Sequence, residues 1–426
     1  MIDVIIIGAG PGGYEAALYG ASKGLNVVLV NKHNLGGTCL HYGCIPTKSY
    51  FKHASLISDL KDSDLYGLAN LSYAFDFGKV KSRKDEVVSS LEKGISFLLK
   101  KANVTVLEGK ANFIGDKKIE VNGETYEAKN IIIATGSKER ILPNFDSYLT
   151  SKDILGLDKL PESLTIVGGG VIGVEFASIL NQFGVKVEVL EYGDRILNSL
   201  DQETSRRILS LLKRQGVDVH LNIKVNSYQD KVLTYEEKGE LKTKEVENLL
   251  LAIGRIPNLD CALDKTNIIY SNKGIIVDKN FETNVKGVYA IGDVTGINML
   301  AHYATYSGYR AINHILDIKD EIDFNLVPAC IFSLPEIASV GILEGNELKA
   351  NYRGNGKALA SNLLEGYIKL YVNEEKIVGC IIIGHEASIL IHEIAAVIKE
   401  KVTVSKFKDY IHAHPTLSEI YRDCFK

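Results

Sequence analysis

Cysteine, net charge and long apolar runs are all scarce in this sequence. Six cysteines among 426 residues are too few for a disulfide scaffold, and four of them are widely scattered: Cys261, Cys330, Cys380 and Cys424. A net charge of −4 gives no reason to expect nucleic acid or an anionic membrane surface as a partner. No apolar run reaches the roughly 18 residues that a membrane-spanning helix needs. We therefore expect a cytoplasmic protein without a membrane partner, in which any disulfide is transient or catalytic.

The N-terminal residues have the pattern of a nucleotide-binding unit. A short apolar run, Val4 to Ile7, leads into the glycines Gly8, Gly10 and Gly13, and a helical stretch rich in alanine separates them from a second apolar run, Val27 to Val30. In such a β-α-β unit the glycines permit a tight turn and a close approach of a pyrophosphate to the helix N-terminus. The pattern predicts a dinucleotide site here.

The same unit occurs a second time. Its glycines are Gly168, Gly170 and Gly173, and its second strand is expected at Val185 to Leu190. Two complete units indicate two bound nucleotides, as a redox enzyme needs when it transfers electrons between a flavin and a nicotinamide.

The residue after the second strand of each unit should bind the ribose hydroxyls. In the second unit this residue is Glu191, which favours NAD over NADP because a carboxylate repels a 2′-phosphate. In the first unit the same offset falls on Asn31, whose amide lacks the strength of a charged acceptor. Asn31 is either a tolerated substitution or a sign that the flavin is held less firmly.

Cys39 and Cys44 are the only two cysteines close together in the chain. They lie in a glycine-rich segment that we predict to be a loop entering a helix, and Gly36, Gly37 and Gly43 allow the distorted turn that a bridge across this spacing requires. A helix N-terminus also stabilises a thiolate. The segment therefore predicts a redox disulfide rather than two unrelated buried cysteines.

A metal site in this segment is not expected. A zinc site would need a second close cysteine pair, which the chain does not have. His41, between the two cysteines, is interpreted as a loop side chain. We predict no bound metal.

The segment GGTCLHYGCIPTK, residues 36–48, resembles the redox-active segment of the glutathione reductase and lipoamide dehydrogenase family. The resemblance implies that Cys39 exchanges with substrate and that Cys44 is the thiolate beside the flavin. It also implies that Lys48 lies next to the flavin N5 and pairs with Glu175.

Three more segments are similar to the same family: IIIATGS (131–137), LLLAIGRIPN (249–258) and GVYAIGDVTG (287–296). Their order and spacing, more than any one of them, extend the resemblance over nearly the whole chain. The FAD contacts that it implies are Gly8, Gly10, Gly13, Asn31, Lys32, Gly37, Thr38, Lys48, Ala111, Thr135, Gly136, Asp293 and Ala301. The NAD contacts that it implies are Gly168, Gly170, Gly173, Glu175, Glu191, Val225 and Gly254.

The length of the chain suggests two to four domains, and the resemblance implies three. We expect an α/β fold with two Rossmann-like domains. The FAD domain would comprise residues 1–142 and 263–324, with the NAD domain, 143–262, inserted in it. Residues 325–426 would form a C-terminal α+β dimerisation domain, an antiparallel sheet backed by helices. Within it, residues 343–359 match the family poorly.

The string HAHPTLSE near the C-terminus contains a candidate catalytic base. A carboxylate such as Glu419 fixes the tautomer of an imidazole and raises its basicity, which leaves the other ring nitrogen of His414 to accept a thiol proton. A random pairing at this spacing usually means a solvated surface pair. His412 is interpreted as a local hydrogen-bonding residue. In the family this base reaches the disulfide of the other subunit, so the resemblance implies a homodimer.

The sequence motif HPTLSE and the presence of Glu191 favour the lipoamide dehydrogenase branch of the family. This implies oxidation of dihydrolipoamide with reduction of NAD⁺, and a lipoyl-bearing acyltransferase of a 2-oxoacid dehydrogenase or glycine cleavage system as partner. Two alternatives stay open: an NAD(P)H-dependent reductase of another small disulfide, and a flavin-poor structural relative, which Asn31 and residues 343–359 would support.

Overall fold

The first predicted nucleotide unit folds as a β-α-β unit because its two apolar runs are buried strands and its alanine-rich stretch is a helix between them. The structure, a computed structural model, describes residues 1–426. The elements up to residue 139 are β1 (Ile2–Ile7), α1 (Pro11–Ser22), β2 (Val27–Asn31), α2 (Gly37–Tyr42), α3 (Cys44–Lys61), α4 (Phe77–Lys101), β3 (Thr105–Glu108), β4 (Ala111–Gly115), β5 (Lys118–Val121), β6 (Glu124–Ile133) and β7 (Ser137–Glu139).

The second unit follows in the same way. Its elements are α5 (Ser151–Gly156), β8 (Ser163–Val167), α6 (Val171–Gln182), β9 (Lys186–Leu190), α7 (Gln202–Arg214), β10 (Asp218–His220), β11 (Ile223–Gln229), β12 (Val232–Glu237), β13 (Glu240–Glu245), β14 (Leu249–Leu251) and β15 (Arg255–Pro257). The parallel strands β10, β9, β8 and β14 form one sheet, and β11, β12 and β13 form a separate antiparallel sheet.

The chain then returns to the first sheet. The next elements are β16 (Tyr270–Ser271), β17 (Gly274–Ile275), β18 (Val288–Ala290) and α8 (Ala301–Ile315). The first sheet has the order β3-β2-β1-β6-β5-β4, and β18 pairs with β6 in parallel. A sheet built from both sides of the second unit is what the predicted insertion requires. The boundaries at residues 142/143 and 262/263 stay predictions.

The C-terminal part is an antiparallel sheet with helices packed on it, as the alternation of apolar residues predicts. Its elements are β19 (Ala329–Ile331), β20 (Ile337–Gly341), β21 (Asn346–Asn351), α9 (Gly356–Ala360), β22 (Tyr367–Asn373), β23 (Lys376–Ile383), α10 (Ala387–Lys399), α11 (Val404–Phe407) and α12 (Ile420–Asp423). The strand order is β19-β20-β23-β22-β21. The poorly matching residues 343–359 supply the edge strand β21 and most of α9. None of the helices in the molecule combines the length and the apolar character needed to cross a lipid bilayer.

Helix α6 is buried on almost every side. Nine of its twelve residues are buried, among them the polar Glu175, Ser178 and Gln182. It packs on its own sheet, contacts α3, and binds the C-terminal part through Ser178, whose hydroxyl accepts a hydrogen bond from the Leu334 N–H at 2.9 Å. A largely apolar helix is expected in such a central position, and its few buried polar side chains need partners there.

A buried lysine joins the second unit to the C-terminal sheet. The Lys369 side chain on β22 is 1% exposed, and its ammonium lies 2.8 Å from Glu203, 3.4 Å from Asp201 and 3.3 Å from Glu347. Burial alone would lower the pKa of Lys369, but Glu203 and Asp201 outweigh it and raise the pKa. The pKa of Glu203 is lowered by hydrogen bonds from Lys349 and Lys369.

We expect Lys369→Met to destabilise the protein by about 1–3 kcal/mol at pH 7, since it leaves carboxylates facing each other and two of them are only half-buried. Because the pKa of Glu203 is lowered in the folded state, the stabilisation exists above its unfolded pKa and disappears as the pH falls. Thermal unfolding at pH 7 and pH 3.5 would measure this. Lys286→Met, which removes an ion pair with an 86% exposed lysine, is the control and should change the stability by less than about 0.5 kcal/mol. Equal losses for both variants would contradict the prediction.

Candidate active site

The two glycine fingerprints have nearly identical backbone geometry. Gly8 and Gly168 have φ values of 110° and 111°, in the region that favours glycine. A Cβ at Gly8 would lie 2.3 Å from the Ala134 carbonyl oxygen, and one at Gly168 would lie 2.5 Å from that of Ala252. Any side chain here would push the turn away from the neighbouring strand.

The other glycines divide into two kinds. A Cβ at Gly13 would lie 1.8 Å from the Gly8 carbonyl oxygen, and one at Gly173 would lie 2.0 Å from that of Gly168, so these two allow each helix to pack closely on its strand. A Cβ at Gly10 or Gly170 would meet nothing within 4 Å. Because these two residues are the N-caps of α1 and α6, each helix begins beside the open space that a pyrophosphate occupies in such units.

A cavity of about 1440 Å³ begins at the first fingerprint and extends to the cysteine pair. Its volume is larger than the roughly 300–1,000 Å³ of most small-molecule sites, as a ligand of dinucleotide size requires. All the predicted FAD residues except Gly13 line it: Gly8, Gly10, Asn31, Lys32, Gly37, Thr38, Lys48, Ala111, Thr135, Gly136, Asp293 and Ala301. Residues from distant parts of the chain thus meet on one surface.

Asn31 lies at the end of β2 and is 8% exposed. Its amide nitrogen donates to the carbonyl oxygen of His33, which fixes the orientation of the amide and leaves its oxygen to accept a hydroxyl proton. The Asn31 side chain is therefore an ordered part of the cavity wall. This favours a tolerated substitution over a less firmly held flavin.

The predicted NAD residues lie mainly around the second fingerprint. The Glu191 carboxylate accepts hydrogen bonds from the backbone N–H groups of Gly169 and Gly193, the latter at 2.7 Å. Gly254, with φ of 99°, follows β14. Val225 lies in β11, partly buried against an apolar cluster. Glu175 differs from the others, because it faces the first cavity although it belongs to the helix of the second fingerprint.

The segment with the cysteine pair is more helical than expected. Residues 37–42 form the short helix α2, which contains Cys39, and Cys44 is the first residue of α3. The prediction of a loop was wrong here, because the distorted backbone lies at the glycines that flank the helix: Gly36 and Gly37 have positive φ, and Gly43 has φ of −144° and ψ of −116°. His41 is therefore helical, and its Nε2 lies 2.8 Å from the carbonyl oxygen of Leu35.

The two thiols are free in this structure and differ in acidity. A hydrogen bond from Cys39, assisted by the charge of Lys48 and opposed by burial, lowers the pKa of Cys44 below the usual value of a thiol. The same hydrogen bond and burial raise the pKa of Cys39. A negative charge on the reduced pair therefore resides on Cys44, at the N-terminus of α3, where the helix dipole favours it.

The predicted Lys48–Glu175 pair is present. The Lys48 ammonium lies 2.9 and 3.1 Å from the two Glu175 oxygens, and Glu175 is 6% exposed. The backbone N–H of Phe332 donates to Glu175 at 2.9 Å. These contacts hold the Glu175 carboxylate against the Lys48 ammonium, so the cavity wall beside Cys44 carries a fixed ion pair.

A polar network around Asp293 was missed at the level of sequence. The Ser137 hydroxyl donates to Asp293 at 2.6 Å, and Arg255 donates through Nε to the same hydroxyl oxygen at 2.8 Å and through Nη1 to Glu139 at 2.7 Å. Burial raises the pKa of Asp293, and Ser137 and Arg255 partly oppose this. Ser137 and Arg255 both belong to segments quoted above, but only the pairing of β7 with β15 shows that they meet.

The His414–Glu419 pair forms as predicted, on the outside of this subunit's cavity. Nδ1 of His414 lies 3.2 Å from both Glu419 oxygens, and Glu419 also accepts from the Thr416 N–H at 3.1 Å. These two hydrogen bonds lower the pKa of Glu419. The His414 side chain is 79% exposed, and neither residue of the pair lines the cavity. His412 makes a local hydrogen bond, 2.8 Å from Glu393, as expected.

Two dinucleotide-binding units and a partly buried dithiol beside an ion pair define the class of a flavoprotein disulfide oxidoreductase. Residues 2–308 match the family model of the pyridine nucleotide-disulphide oxidoreductases, and residues 327–424 match the dimerisation domain of that family. The chain belongs to the pyridine nucleotide-disulphide oxidoreductase family, and its fold of two nucleotide-binding domains and a C-terminal dimerisation domain is the one expected.

Similar proteins cover nearly the whole chain. A dihydrolipoyl dehydrogenase from Bacillus subtilis (strain 168) is 38% identical over 98% of this chain and 96% of its own length. The dihydrolipoyl dehydrogenase from Mycoplasma pneumoniae is 35% identical over 100% and 98%. Among solved structures, LpdA from Mycobacterium tuberculosis has a TM-score of 0.90 at 25% identity, covering 100% and 99%. The HOCl-induced flavoprotein disulfide reductase RclA from Escherichia coli has a TM-score of 0.87 at 27% identity, covering 99% and 98%.

The cofactors of this family are FAD and NAD, and the residues present fit both. The space above Gly10 and the long cavity beyond it suit FAD, and the space above Gly170, with Glu191 beside it, suits NAD. The dimerisation domain makes the protein a homodimer.

Proposed function

We propose that the protein oxidises dihydrolipoamide to lipoamide and transfers the electrons to NAD⁺. The observation that carries the proposal is the Cys39–Cys44 dithiol in one cavity with Lys48 and Glu175, because such a pair can exchange electrons with a small dithiol. The choice of dihydrolipoamide as the substrate rests on the full-length similarity to several dihydrolipoyl dehydrogenases.

His414 starts the reaction as a base. Its Nδ1 donates to Glu419, so Nε2 is free to take the proton of a substrate thiol. Since His414 is exposed and lies outside the cavity of its own subunit, we assign it to the cysteine pair of the other subunit. Each active site then needs both chains of the homodimer.

Disulfide exchange follows at Cys39. In the oxidised chain, the substrate thiolate attacks the Cys39 sulfur, which forms a mixed disulfide, breaks the Cys39–Cys44 bond and releases Cys44 as a thiolate. His414 of the partner subunit releases the first proton to solvent and takes the proton of the second substrate thiol, whose thiolate attacks the substrate sulfur of the mixed disulfide. The bond between that sulfur and Cys39 breaks, lipoamide leaves, and Cys39 takes this proton from His414 of the partner subunit.

Lys48 stabilises the product of this exchange. Its ammonium, held by Glu175, favours a thiolate on Cys44, so the dithiol is left with its negative charge on the sulfur at the start of α3. FAD held in the cavity by residues such as Gly8, Gly10 and Lys48 would supply an acceptor for the two electrons of the dithiol and a hydride donor to NAD⁺. Asp293, Ser137 and Arg255 hold the opposite wall of the cavity in place.

The same proposal implies a macromolecular partner. Dihydrolipoamide occurs as a swinging group on carrier proteins, so we assign as partner a lipoyl-bearing acyltransferase of a 2-oxoacid dehydrogenase, or the carrier of a glycine cleavage system. The exposed position of His414 is consistent with a substrate that enters from solvent at the subunit boundary.

A second candidate is reduction of another small disulfide, which the likeness to the disulfide reductase RclA favours. Steady-state assays separate the two. We expect kcat/KM for dihydrolipoamide with NAD⁺ to exceed that for glutathione disulfide or coenzyme A disulfide with NADH or NADPH by at least about 100-fold, as expected for a site matched to one substrate. Turnover of only the latter two would refute the substrate assignment. A colourless protein that cannot be reconstituted with FAD would favour a structural role instead.

A further inference from the structure

The chain segment after β19 is fastened to α6 by two backbone hydrogen bonds. The N–H of Phe332 donates to the Glu175 carboxylate at 2.9 Å, and that of Leu334 donates to the Ser178 hydroxyl at 2.9 Å. Glu175 and Ser178 are buried and lie about one helical turn apart on α6. The C-terminal domain is thereby attached to the carboxylate that pairs with Lys48.

The side chain of Phe332 adds a second contact to the same ion pair. The Lys48 ammonium lies 4.5 Å from the centroid of the Phe332 ring, within the range of a cation–π interaction. Phe51 packs edge-on against Phe332, with the ring centroids 5.5 Å apart and the planes at 78°.

Lys48 follows Cys44 by one turn of α3. Side chains four residues apart lie on the same face of a helix, and both of these line the cavity. The position of the Lys48 ammonium therefore affects the electrostatic field at the Cys44 sulfur. A contact that holds Lys48 in place can thus change the pKa of Cys44 without touching the sulfur.

We propose that Phe332 is a positioning residue for the redox centre: its backbone N–H orients Glu175 and its ring holds the Lys48 ammonium in place beside Cys44. This inference rests on the proposed role of Cys44 as the thiolate of the dithiol. It goes beyond the Lys48–Glu175 pair, because it makes the C-terminal domain one of the contributors to the acidity of a cysteine in the FAD domain.

Three ionisable side chains influence the pKa of Cys44: Cys39 on α2, Lys48 on α3 and Glu175 on α6. Cys330 on β19 lines the same cavity. Burial raises the pKa of Cys330 to about 11, so this thiol is neutral near pH 7. Lys48 is the only cation among them, and Glu175 opposes it. If Lys48 is released, the thiolate loses its stabilising charge while the carboxylate remains, and the pKa of Cys44 rises.

The test compares two substitutions of Phe332. Phe332→Leu removes the π face, and we expect it to raise the pKa of Cys44 by about half a unit to one unit, the size of a partly buried cation–π contact. Phe332→Tyr keeps the π face and should restore the wild-type value to within about 0.2 unit. If Phe332→Leu does not fold, Phe332→Met, which fills the space without a ring, takes its place.

The readout is the pH titration of the anaerobic, FAD-loaded protein after reduction with dithiothreitol, followed by the long-wavelength absorption of a thiolate next to a flavin. The pH dependence of Cys44 alkylation by iodoacetamide, read by peptide mass spectrometry, measures the same pKa without relying on that absorption. Neither measurement uses dihydrolipoamide, so failure of the substrate assignment would leave the result intact.

Phe51→Leu is the control, since it removes an aromatic contact of Phe332 but no contact of Lys48. It should leave the pKa of Cys44 unchanged. An unchanged pKa in both Phe332→Leu and Phe332→Met would overturn the proposal. An equal shift in Phe51→Leu would also overturn it, because general loss of packing would then be the cause.

Discussion

Replacing Cys44 by serine is expected to abolish transfer of electrons from a dithiol to NAD⁺, with turnover falling by at least about a thousandfold. Serine cannot form the disulfide that accepts the electrons of the substrate, and its hydroxyl is not ionised near pH 7. The substitution is nearly isosteric, and the Lys48–Glu175 pair does not depend on the sulfur, so FAD should still bind. The loss of turnover would therefore come from the missing thiol chemistry and not from a loss of FAD binding.

The visible spectrum checks this prediction directly. After one equivalent of dithiol, the wild-type protein should develop a long-wavelength thiolate absorption, and Cys44→Ser should not. Cys424→Ser is the matched control, because that thiol is buried, is remote from the cavity lining, and donates to the Ile420 carbonyl oxygen in a way that a hydroxyl can imitate. A Cys44→Ser protein that retained both the band and the turnover would contradict the assigned role of the pair.

The second large effect concerns His414. Glutamine at this position can still donate to Glu419 but cannot accept a proton from a thiol, so we expect His414→Gln to lower kcat with dihydrolipoamide by about 10²–10⁴-fold. Reduction of ferricyanide by NADH, which requires no thiol deprotonation, should change little. His412→Gln, which alters a neighbouring pair with Glu393, should keep dihydrolipoamide turnover within about twofold of wild type.

Mixed dimers test whether the base acts across the subunit boundary. In a dimer of one Cys44→Ser chain and one His414→Gln chain, the intact cysteine pair of one chain faces the intact His414 of the partner subunit. We expect about half of the wild-type activity from this dimer, although each parent homodimer is inactive. If the mixed dimer were as inactive as its parents, the base would have to act within its own chain.

The features that the sequence predicted well are local ones. Each fingerprint combines strand, turn and helix within about 30 residues, and the glycines report a backbone geometry that other residues cannot adopt, as Gly8 and Gly168 show. The segment from Cys39 to Lys48 is also local, although its helical content was underestimated, since Gly36, Gly37 and Gly43 absorb the distortion at the two ends of α2.

The contacts that the sequence did not predict join residues far apart in the chain. Arg255 reaches Ser137 and Glu139 only because two short strands pair across the domain junction. Phe332 reaches Lys48 only because the segment after β19 lies on α6. No periodicity marks such pairs, because neither partner is part of a repeated pattern. Residues 343–359 likewise show little sequence similarity to the family, yet they supply an ordinary edge strand.

The burial of α6 limits the domain motions that are possible during catalysis. A rigid-body rotation of the second unit away from the rest would have to separate Glu175 from Lys48 and from the Phe332 N–H and expose apolar side chains of α6 at once, which costs several kcal/mol. The distance between the two nucleotide sites is therefore fixed by the architecture. Catalysis then proceeds with the domains in one fixed arrangement: ligands bind and leave, and only side chains move. No domain rotates between two positions.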